Sequence, residues 1–134
     1  MITEALIEEL VHGFYARVRR DPDLGPIFAS VIVDWTPHLS RMVDFWSSVM
    51  LQTRRFKGNP VLKHNALPDL EPRHFDIWLG LFRENAREVC EPETAEAFIG
   101  KAELIAESLM LARFGIPKRV QARSARVESQ AVSN

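Results

Sequence analysis

The sequence predicts an all-α fold. Three observations carry that expectation. Apolar residues recur at three- and four-residue spacing in four long segments, proline stands in the first turn of three of them, and no stretch alternates long enough for a strand.

The first helix is expected from Thr3 to about Arg20. Thr3 is a capping residue, and Glu4, Glu8 and Glu9 suit the positive end of the helix dipole. Leu6, Ile7, Leu10, Val11, Phe14 and Val18 make one apolar face, with Tyr15 on its edge. Asp21-Pro22 stops the helix, because proline disfavours a helical residue before it. The piece that follows, through Gly25-Pro26 to Ile27 and Phe28, is expected to be too brief for an independent helix.

A second helix is expected over 36–54, with Pro37 in its first turn. Leu39, Met42, Val43, Trp46, Val49 and Met50 form its buried stripe, with His38 and Phe45 beside it. Lys57-Gly58-Asn59-Pro60 breaks the chain, and 61–71 reads as irregular with one short turn around His64. Pro72 opens a third helix, 72–89, with Phe75, Trp78, Leu79, Phe82, Ala86 and Val89 on one face. Pro92 opens a fourth, 92–114, which Gly115 and Pro117 end. About ten irregular residues between helices of so small a domain usually bind or wrap something.

Composition narrows the function. A chain of 134 residues, 46% hydrophobic and 26% charged, is one ordinary globular domain. No apolar run approaches the roughly 18–20 residues that span a bilayer. The N-terminus carries glutamates where a secretory signal would carry lysines. A lone cysteine, Cys90, points to a reducing cytoplasm and reads as an inert packed thiol. The net charge of −1 suggests neither a nucleic-acid nor a membrane partner. Residues 1–115 are read as the folded domain. Residues 116–134 carry four bases against one acid, so this tail is +3 and the body −4. It has few large apolar residues and is expected to be solvated and disordered, with a basic docking arm as the alternative.

There is no Gly-rich phosphate loop, no Cys-x-x-Cys, no His-Glu-x-x-His and no nucleophile elbow. Four histidines, one tyrosine and three tryptophans remain. Taken singly, each has an ordinary structural reading. His64, in LKHNAL, is either a loop histidine bonded to backbone or water, or an axial metal ligand. His38 is a partly exposed first-turn histidine or a site residue. Tyr15 is a core-edge phenol or a donor, and Trp78 is core or an indole N–H with a task. His12 and His74 read as surface and helix-start residues.

Four ordered segments together say more than any of these residues alone. FYARVRRDPDLGPIF (14–28), DWTPHLSRMVDFWSSVML (34–51), FKGNPVLKH (56–64) and HFDIWLGLF (74–82) resemble the truncated haemoglobins, and within them the third, bacterial group. The glycine pairs of the other two groups are missing. The resemblance implies a truncated globin fold, two helices over two, enclosing a haem b. It implies that His64 is the proximal iron ligand and that Phe28 packs on the haem face. His38 stands at the distal entrance, followed by Leu39, Met42 and Trp46 along the haem-lining face. Tyr15 and Trp78 are the distal residues from two other helices.

On that resemblance, dioxygen, carbon monoxide and nitric oxide are the expected ligands. Tyr15, His38 and Trp78 stand on the ligand side, and tight, slowly released oxygen is expected. Nitric oxide or peroxide chemistry with an unidentified reductase is the natural extension. Lys57 and Lys63 are candidate partners of the haem propionates, or simply solvated. The rival reading is a cofactor-free helical interaction module whose aromatic stripes are only core. A haem sensor is a further rival, but no output domain accompanies it.

Overall fold

A threonine hydroxyl sets the start of the first helix. Thr3 Oγ1 accepts from Leu6 N at 3.1 Å and opens α1, Glu4–Arg20, whose last turn carries Arg17, Arg19 and Arg20 at the negative end of its dipole. The computed structural model of the chain describes residues 1–58 and 70–115. Its remaining helices are α2 (Leu24–Ala29), α3 (Trp35–Leu51), α4 (Pro72–Val89) and α5 (Pro92–Phe114). Among the described residues there is no strand, and no helix is long and apolar enough to cross a membrane.

Two expectations about elements are corrected. The piece after Asp21 does form a helix, α2. Asp21 Oδ1 accepts from Asp23 N at 2.9 Å and Leu24 N at 2.8 Å, while Leu24, Ile27 and Phe28 bury against the other helices. Six residues cannot sustain a helix alone; tertiary packing supplies what local propensity lacks. The second expected helix runs Trp35–Leu51 rather than 36–54. Asp34 caps its start, accepting from Thr36 N at 3.1 Å, and Gln52 ends it in the left-handed region at φ 58°. Arg54 is left-handed as well, at φ 61°, so the helix cannot reach it.

The third and fourth expected helices have the anticipated bounds, each with proline at its start. Gly115, at φ 78°, occupies the end of α5.

Helices α1 and α3 pack as one pair and α4 and α5 as another, with α1 lying across α4. Phe14, Phe82 and Phe98 are fully buried where these pairs meet. Each such ring contributes roughly 2–3 kcal/mol by leaving water. Outside the core, Arg17 pairs with Glu84 and Glu88, tying α1 to α4 at the surface.

Candidate functional site

The four-helix arrangement leaves a cleft lined from α1, α3, α4, α5 and the segment after α3. Helix α3 contributes His38, Arg41, Met42, Phe45 and Trp46, which helical spacing sets along one face. Tyr15 comes from α1, Trp78 from α4, and Ile105 and Leu109 from α5; Phe56 arrives from the segment that follows α3.

Most of this lining is apolar and aromatic. Trp46 stacks on Phe82 at 5.1 Å and 24°, and Trp78 stacks on the same ring at 5.8 Å and 21°. Phe14 meets Trp78 edge-on at 5.3 Å, and Phe45 meets Phe56 edge-on at 5.2 Å. Such geometries are the favoured ones for aromatic pairs.

Polar groups are few. Tyr15 is buried and its ring meets that of His38 edge-on at 4.9 Å. His38 in turn meets Trp35 at 5.4 Å, and the Arg19 guanidinium lies over the Trp35 ring, 4.6 Å from its centroid. Burial pushes the Tyr15 phenol far above its ordinary value of 10.0, so it stays protonated and able to donate. Arg41, exposed to solvent, supplies a cation on the lining.

Of the residues singled out from the sequence, Tyr15, His38, Met42, Trp46 and Trp78 meet in this cleft. Phe28 does not line it. It lies in a smaller adjoining cavity with Leu24, Leu70, His74, Phe75, Trp78 and Leu109, and its ring is 6.3 Å from that of Tyr15. Trp78 and Leu109 line both cavities.

Leu39 faces elsewhere. It lines a cleft between α1 and α3 with Glu8, His12, Thr36, Ser40, Val43 and Asp44. His64 and Lys63, like the tail 116–134, lie outside the described residues, whereas Lys57 is exposed. His74, expected at the start of a helix, stands in the first turn of α4 and is 3% exposed. Its Nδ1 accepts from Glu71 N at 2.8 Å, closing a capping box at the start of α4. His12 is exposed, as expected, and burial pushes the half-buried Cys90 thiol up, with Glu9 adding to the effect.

Arg41, Phe45, Phe56, Ile105 and Leu109 were missed as site residues. Ile105 and Leu109 carried the signal of an inward helix face. Phe56 sits outside any periodic segment, and a lone arginine on a helix reads as solvated. Among the described residues no cluster of three metal-ligating side chains occurs.

The walls of the cleft are mostly rings and aliphatic chains, and Tyr15, His38, Arg41 and Trp78 bring polar groups to its lining.

No family model matches the chain. It is 34% identical over 120 residues to the group 3 truncated hemoglobin ctb of Campylobacter jejuni, covering 85% of this chain and 94% of that protein. It is 30% identical over 112 residues to the group 2 truncated hemoglobin YjbI of Bacillus subtilis, covering 81% and 84%. The crystal structure of a group III truncated hemoglobin from Campylobacter jejuni matches with a TM-score of 0.81 at 32% identity, covering 85% of this chain and 93% of that one.

Proposed function

This chain belongs to the truncated haemoglobins, in their third group, with their all-α globin fold, and from that premise we propose that its cleft holds haem b and binds diatomic gases. The observation that carries this reading is the meeting of phenol, imidazole and indole in a largely apolar cleft. When bound, haem supplies an iron that dioxygen, carbon monoxide or nitric oxide can ligate.

His64 is the residue we assign to the iron. Neutral imidazole is the commonest protein ligand for that metal, and the resemblance of FKGNPVLKH to the family's segment selects this histidine. Met42, Phe45, Trp46, Phe56, Ile105 and Leu109 exclude water around the ring. Arg41 offers a charge to the propionates, although an exposed ion pair contributes little. Phe28 and Leu39 are assigned supporting places in the adjoining cavity and against α1.

Tyr15, held protonated by burial, and Trp78, a donor only, present hydrogens to a ligand carrying partial negative charge. Each such bond in a water-poor site contributes on the order of 1–3 kcal/mol. Two of them slow release by on the order of 10²–10⁴-fold. His38 adds a third polar group beside Tyr15. Oxygen is thus held tightly and released slowly, which suits ligand capture or redox chemistry on nitric oxide or peroxide better than transport. Such turnover draws electrons from a reductase, and the lone cysteine fits a reducing cytoplasm. The open aromatic cleft favours this reading over a cofactor-free module, whose helices would close on one another.

Absorption spectra of the purified protein, oxidised and reduced, with and without carbon monoxide, test the proposal. A Soret band that moves on adding carbon monoxide is expected. A colourless protein that also fails to take up added haemin overturns it. His64→Ala is expected to lose haem readily; a variant that retains it as tightly as the wild type removes His64 from the iron.

A further inference from the structure

The segment 52–58 leaves α3 through two left-handed residues, Gln52 and Arg54. Neither is glycine, and side-chain-bearing residues hold such angles only where their surroundings impose them. The surroundings here are a polar network reaching back to the start of the chain. Arg55 grips Glu4 with both terminal nitrogens, Nη1 to Oε2 at 3.0 Å and Nη2 to Oε1 at 2.8 Å, and its Nε donates to Asp44 Oδ1 at 3.1 Å. A planar guanidinium is suited to this forked contact, and an ammonium is not.

Below it, Ser47 is fully buried. Its hydroxyl donates to Glu4 Oε2 at 2.8 Å and lies 3.0 Å from Thr53 Oγ1. One residue beyond Arg55, the Phe56 amide donates to Ser48 Oγ at 3.0 Å, and the Phe56 ring closes on Phe45 and lines the cleft.

We propose that Arg55 is a positioning residue of the cofactor cleft, fixing 52–58 as a strap across the end of α3 so that Phe56 forms part of the cleft wall. Phe56 reaches the cleft from an irregular segment. Its place is set by three points outside any helix ladder: the Arg55 fork, the Thr53–Ser47 contact and the bond to Ser48. Arg55 is not part of the cleft lining and acts through Phe56. The network also joins the first turn of α1 to the chain immediately before the segment that carries His64.

The consequence for haem rests on the function proposed above, so the test has two independent arms. In the first, haemin transfer from holoprotein to an excess of a haem-scavenging protein is timed for Arg55→Gln, Phe56→Ala and the double variant. Arg83→Gln, which breaks the surface pair of Arg83 with Glu103, is the control. Arg55→Gln and Phe56→Ala are each expected to speed loss about tenfold, and the double variant no more than the faster single, because they share one route. Arg55→Lys is expected to fall between wild type and Arg55→Gln. Loss from Arg55→Gln matching the Arg83→Gln control, or effects that multiply in the double variant, overturns the proposal.

The second arm needs no haem. Hydrogen exchange of the Phe56 amide is followed in the protein as isolated, and Arg55→Gln is expected to speed it about tenfold relative to amides in the middle of α4. Unchanged exchange overturns the strap even where the haem reading stands. Faster exchange in a protein that binds no haem upholds the strap while the haem reading fails. If Arg55→Gln does not fold, Glu4→Gln loosens the same fork and is read against the same expectations.

Discussion

Gly13 of α1 faces Asn85 of α4 so closely that a Cβ added to the glycine would lie 2.5 Å from Asn85 Oδ1. Asn85 is itself buried, and its Nδ2 donates to the Leu10 carbonyl at 2.8 Å, one turn earlier on α1. The hydrogen bond draws the two helices together, and the missing side chain gives it room. Gly13→Ala is therefore expected to destabilise the fold by about 1–3 kcal/mol, despite the roughly 1 kcal/mol alanine gains in a helix interior. Urea unfolding measures this; an alanine variant as stable as the wild type would show that Asn85 swings aside at little cost.

The chain has a single tyrosine, so tyrosinate absorbance reports Tyr15 alone. Burial raises the folded-state pKa of its phenol above the ordinary value of 10.0. The folded state therefore holds its proton where the unfolded state releases it. The stability tied to this proton is fully present below pH 10.0 and is lost as pH rises from there toward the folded-state value. In a titration of the native protein, the tyrosinate band is expected only well above pH 10.0 or together with unfolding. A native transition at the ordinary value would mean that the phenol reaches water.

Ligand kinetics test the two proposed donors separately. Tyr15→Phe removes one hydroxyl while keeping the ring in contact with His38, and is expected to speed oxygen release at least about tenfold. Trp78→Phe removes the indole N–H and is expected to act in the same direction. Stopped-flow oxygen displacement by carbon monoxide reads both, and an unchanged rate strikes that residue from the donor role.

At the opposite end of the pH scale, Glu4 reports on the Arg55 fork. Hydrogen bonds from Arg55 first, and from Ser47 second, hold its carboxyl below the ordinary value of 4.5. Its contribution is fully present above that value and is lost as pH falls through the lowered one. The melting temperature of the wild type is expected to fall more steeply under acid than that of Glu4→Gln. Parallel curves would mean that the fork adds nothing to the stability of the fold.

Much of the fold was legible because it depends on local chemistry. Thr3, Pro72 and Pro92 mark helix starts by what their own backbones can and cannot do, and the apolar stripes of α1, α4 and α5 follow from helical period. The errors arose where distant contacts decide. α2 exists because Leu24, Ile27 and Phe28 find partners in other helices, and α3 stops at Leu51 because Gln52 turns left-handed.

The same division runs through the cleft. Met42 and Trp46 lie on a readable stripe, whereas Phe56 is brought in by a network in which Arg55 reaches 51 residues back to Glu4. His74 was readable as a helix-start residue, because Pro72 opens that turn, but nothing local to it showed that it is buried. Its burial follows from the capping box it completes with Glu71.

The two indoles stacked on Phe82 act as a spacer gauge. Trp46 lies on one helix pair and Phe82 and Trp78 on the other, so the gap between the pairs is set there by the thickness of flat, incompressible rings. Aliphatic walls tolerate a lost or added methylene by shifting rotamers, but a ring clasped between two others has no such slack. The opening is thus calibrated at its base, and sequence drift on the outer surfaces of α3 and α4 leaves its width untouched.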